Sequence, residues 1–273
     1  METARKKAKV AHVKVALINQ STVVSDVDVK EAMDALQIQV SRDFAPAWGI
    51  DAELKFVGKG QVPPAGYWWL VVLDNSDQAG ALGYHDLTNE GLPLGKAFAA
   101  TDIQYGLKWT VTASHELLEM LGDPYINLAA TVEPGRNNSI MTLYAYEVCD
   151  ACEADTDGYQ INGILLSDFV YPTWFESFWQ GGSTQFDYLN KIKKPFELLS
   201  GGYISVYDVE SGYGWQQMTA EKGPMRYAMR PHVGSRRERR RTPRDCWMKS
   251  QVKLVGKGKS QPTLRVVFEP AGA

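Results

Sequence analysis

The apolar positions follow two different periods, and these divide the first half of the chain into strands and helices. Val13-Lys-Val-Ala-Leu-Ile-Asn19 reads as a buried strand. Ser25-Asp26-Val27-Asp28 has the form of a capping box, with an N-cap serine and an acidic side chain three residues on. Val29, Met33, Leu36, Val40 and Phe44 then recur at helical spacing, so the periodicity predicts one amphipathic helix over 27–45 that stops near Pro46 and Gly49. Ala52-Glu-Leu-Lys-Phe-Val57 alternates as a half-buried strand does. Tyr67-Trp-Trp-Leu-Val-Val-Leu73 is apolar throughout, as expected of a central strand covered on both faces. Ala81-Leu-Gly-Tyr-His-Asp-Leu87 predicts an edge strand interrupted at Gly83, and Lys96-Ala-Phe-Ala-Ala100 a short fifth strand. Lys108 to Leu121 is apolar over most of a helical circumference, which predicts a largely buried helix ended by Gly122-Asp123-Pro124.

The second half is less regular. Residues 125–141 read as an irregular loop, and 144–153 fits either a helix or an extended segment. Tyr159 to Leu166 has hairpin character around Asn162-Gly163. Phe169 to Trp179 is aromatic-rich and is expected to serve as core and lid. Tyr203 to Val209 predicts a strand, 211–250 is poorly patterned, and 252–255 with 264–268 predicts a closing hairpin. The expected fold class is α+β (α/β-like): a twisted mixed sheet with a buried helix over about 10–125, and an irregular, β-rich C-terminal subdomain over 126–273 that shares its cleft.

The chemistry sits on the buried helix, in Ser114-His-Glu-Leu-Leu-Glu-Met-Leu-Gly-Asp-Pro124. His115 and Glu119 are four residues apart and so project from one face, one turn apart. Glu116 lies beside them, rotated by about 100° around the axis. Unpaired charge is very costly to bury, so a His and two Glu in apolar surroundings are normally paired or bound to metal. The plainer reading is a hydrogen-bonded polar network. A metal needs a further ligand: Glu147 in Tyr146-Glu-Val-Cys-Asp150 is the leading candidate, with Asp150 positioned to orient it and Asp123 as an alternative. Asp150, Glu153, Asp155 and Asp157 with Gly158 also look like a fragment of a Ca²⁺ loop, without its full spacing.

This helix resembles the active-site helix of the zincin metallopeptidases, whose signature is H-E-x-x-H. Glu119 stands where the second His would be. Gly122 matches the glycine of the extended metzincin motif, and Tyr125 occupies the third-ligand slot. The chain is also similar to a family of bacterial and phage-type proteins that carry S-H-E-x-x-E, then D-P and later E-V-C-D, without an assigned activity. The zincin resemblance covers about 10–125 in organisation and some ten residues in motif. It implies a zincin-type sheet, a divalent metal, expected to be Zn, on His115, Glu119 and Glu147, and Glu116 as general base. It further implies that the edge strand, with Gly83 and His85, meets an extended peptide or protein substrate. Exchanging His for Glu makes the metal site less positive, which weakens its Lewis acidity and favours harder ions such as Mn²⁺, Fe²⁺ or Ca²⁺. The expected function is therefore a metal-dependent hydrolase, with a catalytically inactive structural or protein-binding module as the alternative.

Composition narrows the remaining classes. The chain has 273 residues, net charge −3 and three cysteines. An odd, small cysteine count is not that of a secreted disulfide scaffold. Cys149-Asp-Ala-Cys152 lacks nearby soft ligands to complete a zinc site, so buried free thiols are expected. The basic start, Met1 to Lys9, is followed by an apolar stretch too short for a signal peptide, and no run approaches membrane-spanning length, so the cytoplasm of its host is the expected compartment and a membrane is not a partner. Residues 226–249 hold nine Arg or Lys, leaving about −10 on the rest. Arg236 to Arg244 offers a phosphate-binding chemistry, but no aromatic interleaving accompanies it; a solvated or partner-facing loop is expected, and nucleic acid is not. His12 and His232 have no readable role.

Overall fold

The structure is a computed structural model. It describes residues 11–77, 81–132, 141–211 and 214–220, and the backbone of strands at 227–230, 252–254 and 266–268. The expectations for the basic N-terminus, His232, Cys246 and Arg236 to Arg244 fall outside the described residues.

The first sheet forms as the apolar periods require. β1 (Ala11–Asn19) lies between β2 (Ile50–Val57) and β3 (Trp68–Leu73), parallel to both. Val15 to Ile18 are all buried, because both faces of β1 are covered. β3 pairs in parallel with β5 (Pro93–Phe98), and β4 (Gly83–Leu87) closes the edge antiparallel to β5. The strand order is β2-β1-β3-β5-β4. The fifth strand thus begins earlier than its apolar run suggested, and Ala99–Gln104 forms a short helix, α3.

The long helix before β2 is not uniform. α1 (Asp26–Ile38) opens with the expected capping box, in which Ser25 and Asp28 exchange hydrogen bonds. A π-helical stretch, Gln39–Phe44, joins it to α2 (Ala45–Trp48). This stretch carries Gln39 and Asp43, whose side chains reach the second half of the chain: Gln39 donates to the Ser167 carbonyl, and Asp43 accepts from the hydroxyls of Tyr159 and Tyr188. Such π turns widen a helix locally and re-aim its side chains. An apolar spacing pattern does not register them.

α4 (Trp109–Gly122) lies across β5 and β4, and every residue from Thr110 to Leu121 is buried. Its far side meets the hairpin of β8 (Tyr159–Ile161) and β9 (Ile164–Leu166). Asn162 and Gly163 both have positive φ there, as a tight hairpin turn requires. A second sheet, wholly antiparallel, has the order β12-β11-β10-β7-β6. Its members are β6 (Ala129–Val132), β7 (Thr142–Ala145), β10 (Tyr203–Asp208), β11 (Trp215–Ala220) and β12 (Tyr227–Arg230). β13 (Val252–Leu254) and β14 (Val266–Phe268) form the expected closing hairpin. The molecule is mixed α and β with few helices, an α+β architecture. No helix among the described residues is long and apolar enough to cross a membrane.

One hydrophobic cluster runs from Val15 through α4 to Ala220, so the segments before and after residue 125 share a core. The aromatic run divides: Phe169, Trp174 and Phe175 are buried in that core, whereas Phe178 and Trp179 reach solvent. Phe44, Trp48, Tyr146 and Phe175 pack ring on ring and tie α2 to the second half.

A buried acid pair closes this region. Asp168 Oδ1 accepts from the Phe169 and Leu189 amides, and Asp187 accepts from the Lys191 and Ile192 amides. Burial, and then the adjacent Asp187 charge, push the Asp168 carboxyl up to about 8. A carboxyl raised in the fold keeps its proton where the unfolded chain has lost it. Stability from this group therefore falls as pH rises from about 4 to 8 and is level above that. Asp168→Asn should keep both amide bonds and flatten that part of the curve. The check is melting temperature against pH for both proteins; an unchanged slope would remove Asp168 from the account.

Candidate metal centre

Three segments bring the site together. α4 supplies His115, Glu116 and Glu119; β4 supplies His85; and the stretch after β7 supplies Glu147 and Asp150. Two close approaches make this possible. A Cβ on Gly83 would stand 2.8 Å from Glu116 Oε1 and 2.6 Å from Thr112 Cγ2, so only glycine lets α4 settle against β4. A Cβ on Gly122 would stand 2.7 Å from Val148 Cγ1, so its absence admits residues 147–150 to the end of α4. That stretch is pinned further by the Cys149 amide, which donates to Glu119 Oε1, and by its Val148 carbonyl, which accepts from Val170. Ser114 holds the other flank of α4, accepting from the Ser167 amide.

Two sets of ligand-type atoms converge, each within 4.8 Å of one another: His115, Glu119 and Asp150, and His85, Glu116 and Glu119. His115 Nε2 lies 3.3 Å from Glu119 Oε1 and 3.3 Å from Asp150 Oδ1. His85 Nδ1 lies 3.3 Å from Glu119 Oε2 and 3.6 Å from Glu116 Oε2. Charge-assisted hydrogen bonds are shorter, about 2.7–2.9 Å. Two atoms each about 2.0–2.1 Å from a tetrahedral ion stand about 3.3–3.4 Å apart, which matches the three 3.3 Å spacings, and the His85–Glu116 spacing of 3.6 Å is slightly wider. Glu116 Oε2, Glu119 Oε2 and both Asp150 oxygens are buried without a hydrogen-bond donor. Orphaned oxygens facing imidazole nitrogens at ligand spacing suit a divalent cation, and the residues present fit one.

Electrostatics within the cluster agree. Burial works against a charged His115, yet the Glu119 carboxylate and the neighbouring Asp150 outweigh it and raise His115 well above its usual range. Burial would lift Glu119, but His115 and His85 pull it well below the ordinary carboxylate value. Asp150 is pushed up to about 7 by burial and by the Glu119 charge, and Glu153 up to about 8, mainly by burial. A site that concentrates negative charge this way favours a cation and releases protons on binding it.

The sequence-derived residues fare differently. His115, Glu116 and Glu119 come together on α4 as expected. The structure brings Asp150 to His115 and Glu119 where Glu147 was expected; Glu147 Oε2 instead faces His85 Nε2 at 3.7 Å. The chain bends between them, because β7 ends at Ala145 and residues 150–152 form a short 3₁₀ turn. Asp123 spends both carboxylate oxygens on the Asn127 and Leu128 amides and shapes the turn after α4. Tyr125 is half exposed. His85, expected on the edge strand beside a substrate, is fully buried inside the cluster and faces Glu116 and Glu119. Gly83 has a packing role against Glu116. The inward direction of His85 was readable in principle from strand alternation, but Gly83 blurs that pattern. The calcium-loop fragment does not converge: Asp155 accepts from the Lys108 amide and Asp157 pairs with Lys191. Cys149 and Cys152 are free, buried thiols, and burial raises both well above the usual thiol range.

Comparison of the chain with family models, curated proteins and solved structures found no match.

Gly122→Ala should destabilise the fold by about 1–3 kcal/mol through overpacking against Val148. Most of that loss should return in a Val148→Ala background, read by denaturant titration of the four proteins. Equal losses in both backgrounds would place the cost elsewhere.

Proposed function

We propose that this protein is a metal-dependent hydrolase of zincin type that acts on peptide bonds. The carrying observation is the convergence of His115 Nε2, Glu119 Oε1 and Asp150 Oδ1 at the spacing of ligands around one divalent ion. The ion would polarise a substrate carbonyl and activate water. Glu116 is the base: it follows His115 on α4, one of its oxygens has no donor, and it is one of the cluster's members that touch solvent. It takes a proton from the attacking water and passes it to the leaving amine. An antiparallel edge strand beside the metal helix supports the zincin resemblance. The outer edge of β4 has no strand partner among the described residues and suits an extended peptide. The carboxylate-rich ligand set suits Mn²⁺ or Fe²⁺ as well as Zn²⁺.

A second reading, a structural or protein-binding module, draws on the near-complete closure of the cluster. His85 and Glu119 are inaccessible and His115 only 7% exposed. Closed sites are typical of structural metals.

Elemental mass spectrometry of tag-free protein should find a divalent metal that Glu119→Ala loses. Glu116→Gln should keep the ion at His115 but lower kcat on a cleaved peptide by about 10²-fold or more. If chelation lowers Tm while no peptide in a library is cleaved, the structural module is the function. A stable wild type that is metal-free and indifferent to added ions would overturn both.

A further inference from the structure

Glu119 faces an imidazole with each of its two oxygens. Oε1 lies 3.3 Å from His115 Nε2 and Oε2 lies 3.3 Å from His85 Nδ1. On one side Asp150 completes a set of three ligand atoms, and on the other Glu116 does. We propose that Glu119 bridges two metal positions, so that the cluster is a dinuclear, carboxylate-rich centre.

Hydrogen bonding alone does not explain the second set. His85 Nδ1 carries at most one proton, so it can serve at most one of Glu116 Oε2 and Glu119 Oε2, which face it at 3.6 and 3.3 Å. Both oxygens are buried, and leaving them unmatched is costly. A cation accepts both and the imidazole lone pair at once. His85 is oriented for this: Glu147 Oε2 lies on its Nε2 side at 3.7 Å, so Nδ1 is the ring nitrogen turned towards Glu116 and Glu119. Two imidazoles with several carboxylates, one of them bridging, form the donor class that holds paired Mn²⁺ or Fe²⁺ ions.

The inference rests on the metal reading above and refines it. With both positions filled, Glu116 is a ligand and has no free carboxylate to act as a base. Hydrolysis with Glu116 as base therefore belongs to the singly loaded protein.

The test loads metal-stripped, full-length protein with Mn²⁺, removes free ion, and measures bound Mn per chain together with the electron paramagnetic resonance spectrum. Two Mn per chain with an exchange-coupled signal is expected, since a bridging carboxylate holds such ions about 3.5–4 Å apart. His85→Gln should bind one Mn with the signal of an isolated ion. Asp150→Asn, which leaves the His85 set intact, should also bind one, and it serves if His85→Gln fails to fold. One uncoupled Mn in the wild type, unchanged by His85→Gln, would overturn the dinuclear centre and leave the single-metal reading standing. No bound Mn, Fe or Zn in any form would overturn both.

Discussion

The constraint behind this structure is the cost of burying carboxylates without donors. Glu119 is inaccessible, and Glu116 and Asp150 nearly so, yet each has an oxygen with no hydrogen-bond partner. Two imidazoles stand among them at 3.3–3.6 Å. Removing such groups from water costs several kcal/mol unless opposite charge replaces the solvent. The rest of the fold brings these groups together, and the proposed metal reading rests on that spacing.

That requirement explains otherwise unrelated features. Gly83 and Gly122 are small because β4 and the 147–150 stretch must approach α4 closely. Ser114 and the Cys149 amide fix α4 and its neighbour by hydrogen bonds on either side of the cluster. The shared hydrophobic core spans both halves of the chain, so neither half holds a complete site. The π-helical stretch contributes at a distance, because Gln39 and Asp43 bind the half that carries Asp150.

Much of this was legible beforehand. Apolar runs and alternation placed β1, β2, β3 and α4, because strands with a buried face and a helix buried all round leave periodic signals. The motif on α4 placed His115, Glu116 and Glu119 together, since spacing on one helix is a local property. The choice between Glu147 and Asp150 was not legible: both lie in one short acidic stretch, and the 3₁₀ turn that carries Asp150 packs against Gly202 and the second sheet, far along the chain. Asp123 looked equally suitable in sequence, but backbone amides of its own turn claim it.

By itself, then, the sequence determined the buried helix, the central strands and three of the site's side chains, all consequences of periodicity within one element. Only the tertiary structure decided that His85 turns inward, that Asp150 meets His115, and that both oxygens of Glu119 face an imidazole. These depend on how β4 and the 147–150 stretch dock on α4. Docking is set by packing between residues far apart in the chain, Gly83 with Glu116 and Gly122 with Val148, which no local period encodes.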